Sequence, residues 1–145
     1  MEYIDYIDCL FLYSKLKKTF ELRISGTSMK PILHEGDTIT VCRKDKYMIG
    51  DIIVFLYKNN NLLVHRLLKI QNGRYFCKGD NSFRLEDIYI EHIVGAVILE
   101  FDRNNTFEFI ADSLKISKLF RMNRYNSDIT MASPEYIEYK QKYLE

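Results

Sequence analysis

Three side chains that are able to cleave a peptide bond together occur in separate segments of this sequence. Ser28 lies between a glycine and a proline in Ser25–Pro31, where a turn would expose its hydroxyl. His65 lies within an apolar run, and Asp80 occupies a tight turn after a further run. A serine hydroxyl becomes nucleophilic when a histidine removes its proton and an acid orients the imidazole. These residues therefore predict nucleophilic serine chemistry, with His65 as base and Asp80 as orienting acid.

The loop around Ser28 has the residue types that such a nucleophile requires. Gly26 allows close backbone approach, and Pro31 prevents a helix from continuing through the loop. We expect backbone N–H groups near Ser28, its own included, to point at a developing oxyanion. Gly26, Met29 and Pro31 are the predicted substrate-binding residues. The alternative is an ordinary turn in which Ser28 has only a structural role.

Strand alternation predicts the surroundings of His65. Leu63, His65 and Leu67 are expected on one face of a strand, with Val64 and Arg66 on the other. A histidine between two leucines is partly desolvated, which favours the neutral imidazole that a general base requires. A core histidine that is hydrogen-bonded to the backbone would show the same pattern.

The remaining titratable residues fit structural roles at least as well. Asp80 either accepts a hydrogen bond from the far ring nitrogen of His65 or forms an Asx turn that shapes its loop. His34 and His92 lie in polar segments and are predicted to be solvated. Asp37 and Asp51 each follow a glycine and are predicted to shape turns.

Composition and charge exclude some classes of protein. The chain has 145 residues, 47% hydrophobic and 28% charged, which fits one globular domain with a core of its own. Its 21 basic and 20 acidic side chains leave a net charge of +1. Because this balance provides no general positive field, nucleic acid is not a predicted partner.

Cysteine content and hydropathy favour a reducing compartment. Cys9, Cys42 and Cys77 are odd in number and lack a Cys-x-x-Cys pair, which predicts free thiols and no zinc site. Neither a metal nor a cofactor is predicted. The N-terminus shows no secretory pattern, and no run of about eighteen apolar residues predicts a transmembrane span. We expect a soluble, cytoplasmic protein, with peripheral membrane contact left open.

Helical patterns at both ends of the chain flank a predicted β core. Apolar residues at helical spacing in Tyr3–Lys18, acidic early and basic late, predict an amphipathic helix. Near the other end, Leu114–Met122 fits a short helix, and Ser133-Pro134 supplies the cap and first-turn proline of a last one. The predicted segments are an N-terminal helix over 1–19, a β core over 20–110 and a helical extension over 111–145.

Short β-branched and aromatic runs separated by turn residues predict a mainly β, mostly antiparallel fold. The predicted strands are Phe20–Ser25, Thr38–Cys42, Asp51–Leu56, Leu62–Ile70, Arg74–Lys78 and Ile93–Phe101. Hairpin connections are predicted at 58–61 and 71–73, where asparagine and glycine tolerate positive φ. A further hairpin is predicted at Asn104-Asn105, with Phe107–Phe109 as its second strand.

Four segments in this order resemble the conserved boxes of type I signal peptidases. Ser25–Leu33 with Gly36–Val41 is similar to the nucleophile box, and Gly50–Phe55 is similar to the next. Val64–Leu67 lies where most bacterial members carry Lys-Arg, and Lys78–Asn81 resembles their Gly-Asp-Asn box. The resemblance covers about half of the chain.

The resemblance implies an all-β peptidase core in which Ser28 attacks the scissile carbonyl. His65 matches the endoplasmic-reticulum and sporulation types, whose serine and histidine work with an aspartate that corresponds to Asp80. Because signal peptidases carry a membrane anchor and none is predicted here, a relative that trims a cytosolic peptide or precursor fits better. The leader of a ribosomally made peptide is one such substrate, and small residues before the cut are implied.

SOS-repressor-type self-cleaving proteases share the serine box but rely on lysine. They cut themselves at a pair such as Ala-Gly, which this sequence lacks, and no DNA-binding domain is predicted before the β core. The leading prediction is therefore a soluble serine endopeptidase of the signal-peptidase type, acting on a peptide or protein. A non-catalytic peptide-binding module and a repressor-like regulator are the alternatives. The oligomeric state is not predicted.

Overall fold

The computed structural model describes residues 19–145, so the helix predicted over Tyr3–Lys18 lies outside the described residues. Seven antiparallel strands form one sheet in the order β1-β2-β7-β3-β4-β5-β6. The strands are β1 Thr19–Arg23, β2 Thr38–Cys42, β3 Ile52–Tyr57, β4 Asn61–Gln71, β5 Arg74–Lys78, β6 Glu86–Tyr89 and β7 Ile93–Ile98. The sheet is curled, since the loop after β1 contacts the loop after β5.

Local sequence explains most of these strands. The six predicted strands are all present, with ends that differ by at most three residues. The two short hairpins are confirmed, and Asn59, Asn60, Asn72 and Gly73 have positive φ, as the predicted tight turns require. The remaining strand, β6, was not predicted, because four residues of sequence Glu-Asp-Ile-Tyr are too short and polar to stand out.

The apolar core lies on both faces of the curled sheet. Ile52, Ile53, Val54 and Phe55 of β3 are all at most 2% exposed, which explains why this strand lacks polar alternation. Val54 packs in a cluster with Ile24 and Met29 of the Ser28 loop, whereas Phe55 packs with residues of β4 and β5. The core therefore fixes the Ser28 loop to the central strand.

Three helices follow the sheet: α1 Phe107–Met122, α2 Ser127–Met131 and α3 Pro134–Tyr139, the last continued by a π-helical turn over Lys140–Leu144. The hairpin predicted at Asn104-Asn105 is wrong, because α1 begins where its second strand was expected. Thr106 caps this helix, its Oγ1 accepting a hydrogen bond from the Phe109 N–H at 3.1 Å.

The helices pack on the sheet beside a bulge in β4, where the register shifts between Leu67 and Lys69. Leu67 belongs to a cluster of sheet residues, whereas its neighbour Leu68 packs among helical residues such as Phe109 and Tyr139. Within residues 19–145, no helix combines the length and apolar character needed to cross a membrane. The C-terminal helices thus lie beside the end of β5, where Lys78 contacts Ser113 and Tyr139.

Candidate active site

The structure brings Ser28 and His65 into hydrogen-bonding contact although 37 positions separate them in sequence. The distance from Ser28 Oγ to His65 Nε2 is 3.0 Å. Ser28 lies in a turn where the Lys30 N–H donates to the Thr27 carbonyl at 3.1 Å. His65 lies in β4 and its ring packs edge-on against Phe55. The curl of the sheet thus delivers the nucleophile loop to β4.

The acid that contacts His65 is Glu86. Its Oε1 lies 2.5 Å from His65 Nδ1, and the two side chains are 6% and 9% exposed. An Nδ1–H that donates to this carboxylate leaves Nε2 free to accept the Ser28 hydroxyl proton. Serine, imidazole and carboxylate therefore form one hydrogen-bonded line.

Asp80 was predicted to orient His65, but it lies elsewhere. Its carboxylate accepts hydrogen bonds from Arg66 Nε and Nη2, each at 2.9 Å, and from Asn104 Nδ2 at 3.2 Å. Because adjacent strand residues point to opposite faces, the acid that meets Arg66 is on the wrong side for His65. The expected Asp80–His65 hydrogen bond is not formed, and Glu86 occupies the place predicted for Asp80.

Arg66 is the centre of a buried ionic cluster next to the site. It also donates to both carboxylate oxygens of Asp102, at 2.7 and 2.9 Å, and to the Gly50 carbonyl at 3.0 Å. Burial alone would lower the pKa of Arg66, but the hydrogen bonds to Asp80 and Asp102 raise it above its ordinary value. Arg66 therefore stays charged, and its hydrogen bonds connect three loops.

The loop after β5 supports the nucleophile loop by close contact. The Asn81 N–H donates to the Ser28 carbonyl at 2.8 Å, and Asn81 Nδ2 donates to the Thr27 carbonyl at 3.2 Å. A Cβ on Gly79 would come within 2.7 Å of the Ser28 carbonyl oxygen. Only glycine fits at this position without a shift of the backbone.

A cavity of about 390 Å³ opens beside Ser28 and His65. Its apolar lining includes Leu22, Ile24, Leu62 and Val64. Among the predicted substrate-binding residues, Gly26 and Met29 line this cavity, whereas Pro31 lies outside its lining. Met29 is only 3% exposed, so most of its side chain belongs to the core. The site therefore has a mainly apolar recess next to the hydroxyl, with Arg23 as a charged residue in its lining.

Within residues 19–145, one edge of β4 is unpaired beside the recess. Residues 61–65 pair with β3, but in the described part of the chain pairing with β5 begins only at Arg66. An unpaired strand edge offers N–H and C=O groups to an extended peptide. A peptide that paired there would pass the Ser28 hydroxyl.

The backbone also provides a candidate oxyanion donor. The Ser28 N–H forms no hydrogen bond with any residue in 19–145, so it remains available to a developing negative charge. Across the same residues, His, Cys, Asp and Glu side chains form no group of three that would hold a metal ion. The chemistry available here is that of serine, imidazole and carboxylate.

Sequence reasoning missed Glu86, although one pattern points to it. Glu86 and Ile88 of β6 are buried, whereas Asp87 and Tyr89 between and after them are exposed. An acid at a core-facing strand position is costly unless it is paired, which marks it for a specific partner. That pattern becomes visible only once β6 is assigned as a strand.

Comparison with known protein families agrees with this fold. A sequence model of the Peptidase S24-like family matches residues 1–98, which include Ser28, His65 and Glu86. No curated protein sequence matches the chain. The match supports the peptidase superfamily to which the signal-peptidase resemblance pointed, while the signal-peptidase type stays a prediction. The chain belongs to the Peptidase S24-like family.

Proposed function

We propose that this chain is a serine endopeptidase in which Ser28 is the nucleophile and His65 is the general base. Glu86 takes the orienting role that the sequence assigned to Asp80. The observation that carries the proposal is the hydrogen-bonded line from Ser28 Oγ through His65 to Glu86 Oε1. A serine is an ordinary hydroxyl without such a base, so the contact supports a peptidase over a turn in which Ser28 has only a structural role.

The steps follow from this geometry. His65 Nε2 takes the hydroxyl proton as Ser28 Oγ bonds to the scissile carbonyl carbon, and the Ser28 N–H stabilises the resulting oxyanion. The imidazolium faces the Glu86 carboxylate, which offsets its charge. His65 then protonates the departing amine, leaving an acyl-serine. Water, deprotonated by the same imidazole, releases the acid and restores Ser28.

We propose an extended peptide as the substrate. The free edge of β4 supports main-chain pairing, and the neighbouring recess is lined mainly by apolar side chains such as Leu62 and Val64. Small uncharged residues before the cut, as the signal-peptidase resemblance implies, fit this recess. A leader segment of a precursor protein is the proposed physiological class.

A peptide library read by mass spectrometry tests the proposal. Wild type is expected to cut a defined subset of peptides, and Ser28→Ala is expected to cut none of them. Ser127→Ala is the matched control, since the same change at an exposed serine of α2 leaves the site intact. Equal cutting by wild type and Ser28→Ala would refute the assignment.

A second function is favoured by the free β4 edge, because peptide pairing there needs no nucleophile. As a non-catalytic binding module, the chain would retain peptides from the library without releasing products, and Ser28→Ala would bind equally well.

Self-cleavage is the other alternative, and it is detected by measuring the mass of the protein itself in the same experiment. Two fragments that appear only with Ser28 present would indicate a self-cleaving regulator instead.

A further inference from the structure

A buried lysine that the proposed mechanism does not use lies next to the loop supporting Ser28. Lys78, the last residue of β5, is 0% exposed. Its Nζ lies 3.0 Å from the Gly79 carbonyl oxygen, 2.8 Å from Ser113 Oγ of α1 and 3.3 Å from Tyr139 Oη of α3. Within residues 19–145 it forms no ion pair. Buried lysines of this kind are rare, because an unpaired charge is costly to bury.

The hydrogen bonds around Nζ match an uncharged amine. Tyr139 Oη donates its proton to the Asp80 carbonyl at 2.7 Å, so towards Lys78 it can only accept. A neutral amine has two protons, one for the Gly79 carbonyl and one for Tyr139, and a lone pair that accepts from the Ser113 hydroxyl. A protonated amine would direct its third N–H at Ser113 Oγ, and the serine proton would then have no acceptor among the groups around Nζ.

Two acids and one arginine act on the charge of Lys78, and burial has the largest effect on its pKa. Burial lowers the pKa of Lys78 to about 7, while Asp80 and Glu86 raise it and Arg66 lowers it further. From the helices, α1 presents the neutral Ser113 and α3 presents Tyr139, whose pKa burial raises above its ordinary value. Every group that contacts Nζ is therefore uncharged at neutral pH.

These contacts lead directly to the nucleophile loop. Lys78 and Tyr139 hold the carbonyls of two successive residues, Gly79 and Asp80. The next N–H, that of Asn81, donates to the Ser28 carbonyl, and Gly79 packs on Ser28. A shift of α1 or α3 would therefore move the Gly79–Asn81 loop and, with it, Ser28.

We propose that uncharged Lys78, with Ser113 and Tyr139, positions the Gly79–Asn81 loop and, through it, Ser28. The C-terminal helices are then a working part of the site. Ser113 and Tyr139 lie beyond residue 98, where the family match ends, so this chain completes its site with residues outside the matched region. We call the path of contacts from Lys78 and Tyr139 through the Gly79–Asn81 loop to Ser28 the structural link. The link rests on these contacts alone, whereas its effect on catalysis rests on the proposed peptidase function.

Hydrogen exchange tests the link without any need for activity. Tyr139→Phe removes the bond to the Asp80 carbonyl and is expected to speed exchange of the Asn81 amide about tenfold, the worth of one buried hydrogen bond. Exchange in β3 should not change. Tyr136→Phe is the matched control, because Tyr136 is also buried and its hydroxyl forms no hydrogen bond within residues 19–145. If both variants exchange alike at Asn81, the link is refuted.

The protonation state of Lys78 is tested by stability against pH. Its folded pKa of about 7 lies below the ordinary value of about 10.4, so between them the unfolded chain binds more protons. The free energy of unfolding of wild type should therefore rise from pH 7 to pH 9 relative to Lys78→Met. A constant difference would show that Lys78 is charged when folded. If Lys78→Met does not fold, Lys78→Gln, with a neutral amide, replaces it.

Kinetics then connect the link to catalysis. With a peptide cut by wild type, Tyr139→Phe is expected to lower kcat about tenfold and leave KM within about twofold, because a misplaced nucleophile slows chemistry rather than binding. Tyr136→Phe should match wild type. An unchanged kcat for Tyr139→Phe would overturn the positioning role. If wild type cuts nothing, the peptidase function fails, whereas the exchange and stability tests still decide the structural link.

Discussion

His65 and Arg66 are neighbours on β4 and each meets a buried carboxylate, yet the two pairs differ in what remains free. Arg66 is surrounded by Asp80, Asp102 and the Gly50 carbonyl, and its charge is permanent. His65 uses one nitrogen for Glu86 and directs the other at the Ser28 hydroxyl. One pair is complete in itself, and the other has a nitrogen left for chemistry.

This difference separates the two carboxylates by role. A fully bonded arginine–carboxylate pair cannot move a proton, so Asp80 can only hold structure in place. An imidazole that changes its charge during a reaction needs an acid that stabilises the change, and Glu86 has that position. Substitutions that affect one pair should therefore affect rate, and those that affect the other should affect stability.

The largest effect on rate is expected at the end of the His65 line. Ser28→Ala should lower kcat by at least about a thousandfold, since nucleophile and base act as a unit. Its thermal midpoint should match wild type, because the side chain is partly exposed and makes few contacts. Steady-state kinetics and thermal denaturation measure both, and rapid cleavage by the variant would contradict the assignment.

Glu86→Gln is expected to cause the second-largest loss of kcat. The amide keeps the shape of the carboxylate but cannot stabilise an imidazolium, so kcat is expected to fall between about a hundredfold and ten-thousandfold. The KM should change little, since Glu86 is buried behind His65 and is not in the cavity lining. A rate within a few-fold of wild type would remove Glu86 from the mechanism.

Gly79→Ala should affect rate through position. A methyl group there meets the Ser28 carbonyl oxygen at 2.7 Å, so the Ser28 loop must shift. Displacing a reacting group by about 1 Å can cost about a hundredfold in rate. Gly73→Ala is the control: its Cβ meets nothing within 4 Å, so any effect comes from its positive φ and falls on stability. Equal kcat losses in both variants would argue against a steric effect at Ser28.

Asp80→Asn is expected to lower stability strongly and kcat much less. Removing one partner of a buried pair leaves Arg66 incompletely neutralised, which is expected to lower the free energy of unfolding by about 3–5 kcal/mol. Per folded molecule, kcat should fall far less than in Glu86→Gln. Urea denaturation, followed by kinetics at matched folded concentration, measures the two effects. Undiminished stability would show that the ionic cluster is dispensable.

The smallest effect is expected at an exposed pair on the far edge of the sheet. Arg74 and Asp87 form a salt bridge with both side chains more than a third exposed. Arg74→Gln should leave kcat and the thermal midpoint unchanged, because exposed pairs contribute little. A loss comparable to that of Asp80→Asn would show that burial is not what distinguishes the ionic pairs.

Sequence patterns predict the strands and the Ser28–His65 pair, but they do not predict that Glu86 is the acid of the site. Asn59, Asn60, Asn72 and Gly73 specify their turns locally, so the hairpins follow from residue type. Which acid contacts His65 depends on the curl of the sheet and on the four-residue strand β6. Neither feature can be predicted from the local sequence. Asp80 lay in a recognisable box, whereas Glu86 had only its core-facing position.

The start of α1 shows the same limit. Phe107–Phe109 alternates aromatic and acidic residues as a strand would, and its two neighbouring asparagines suit a turn. The cap at Thr106 and the burial of Phe109 among Tyr139 and Tyr143 select a helix instead. Tertiary contacts with residues some thirty positions later decided this segment.

The central claim is that Glu86 supports catalysis by orienting and stabilising His65, whereas Asp80 maintains structure by pairing with Arg66. The most direct test is kcat for Glu86→Gln and Asp80→Asn on one peptide that wild type cuts, each corrected for its folded fraction. We predict that Glu86→Gln is the slower of the two by about a hundredfold. Equal rates, or a slower Asp80→Asn, would contradict the account and return the orienting role to Asp80.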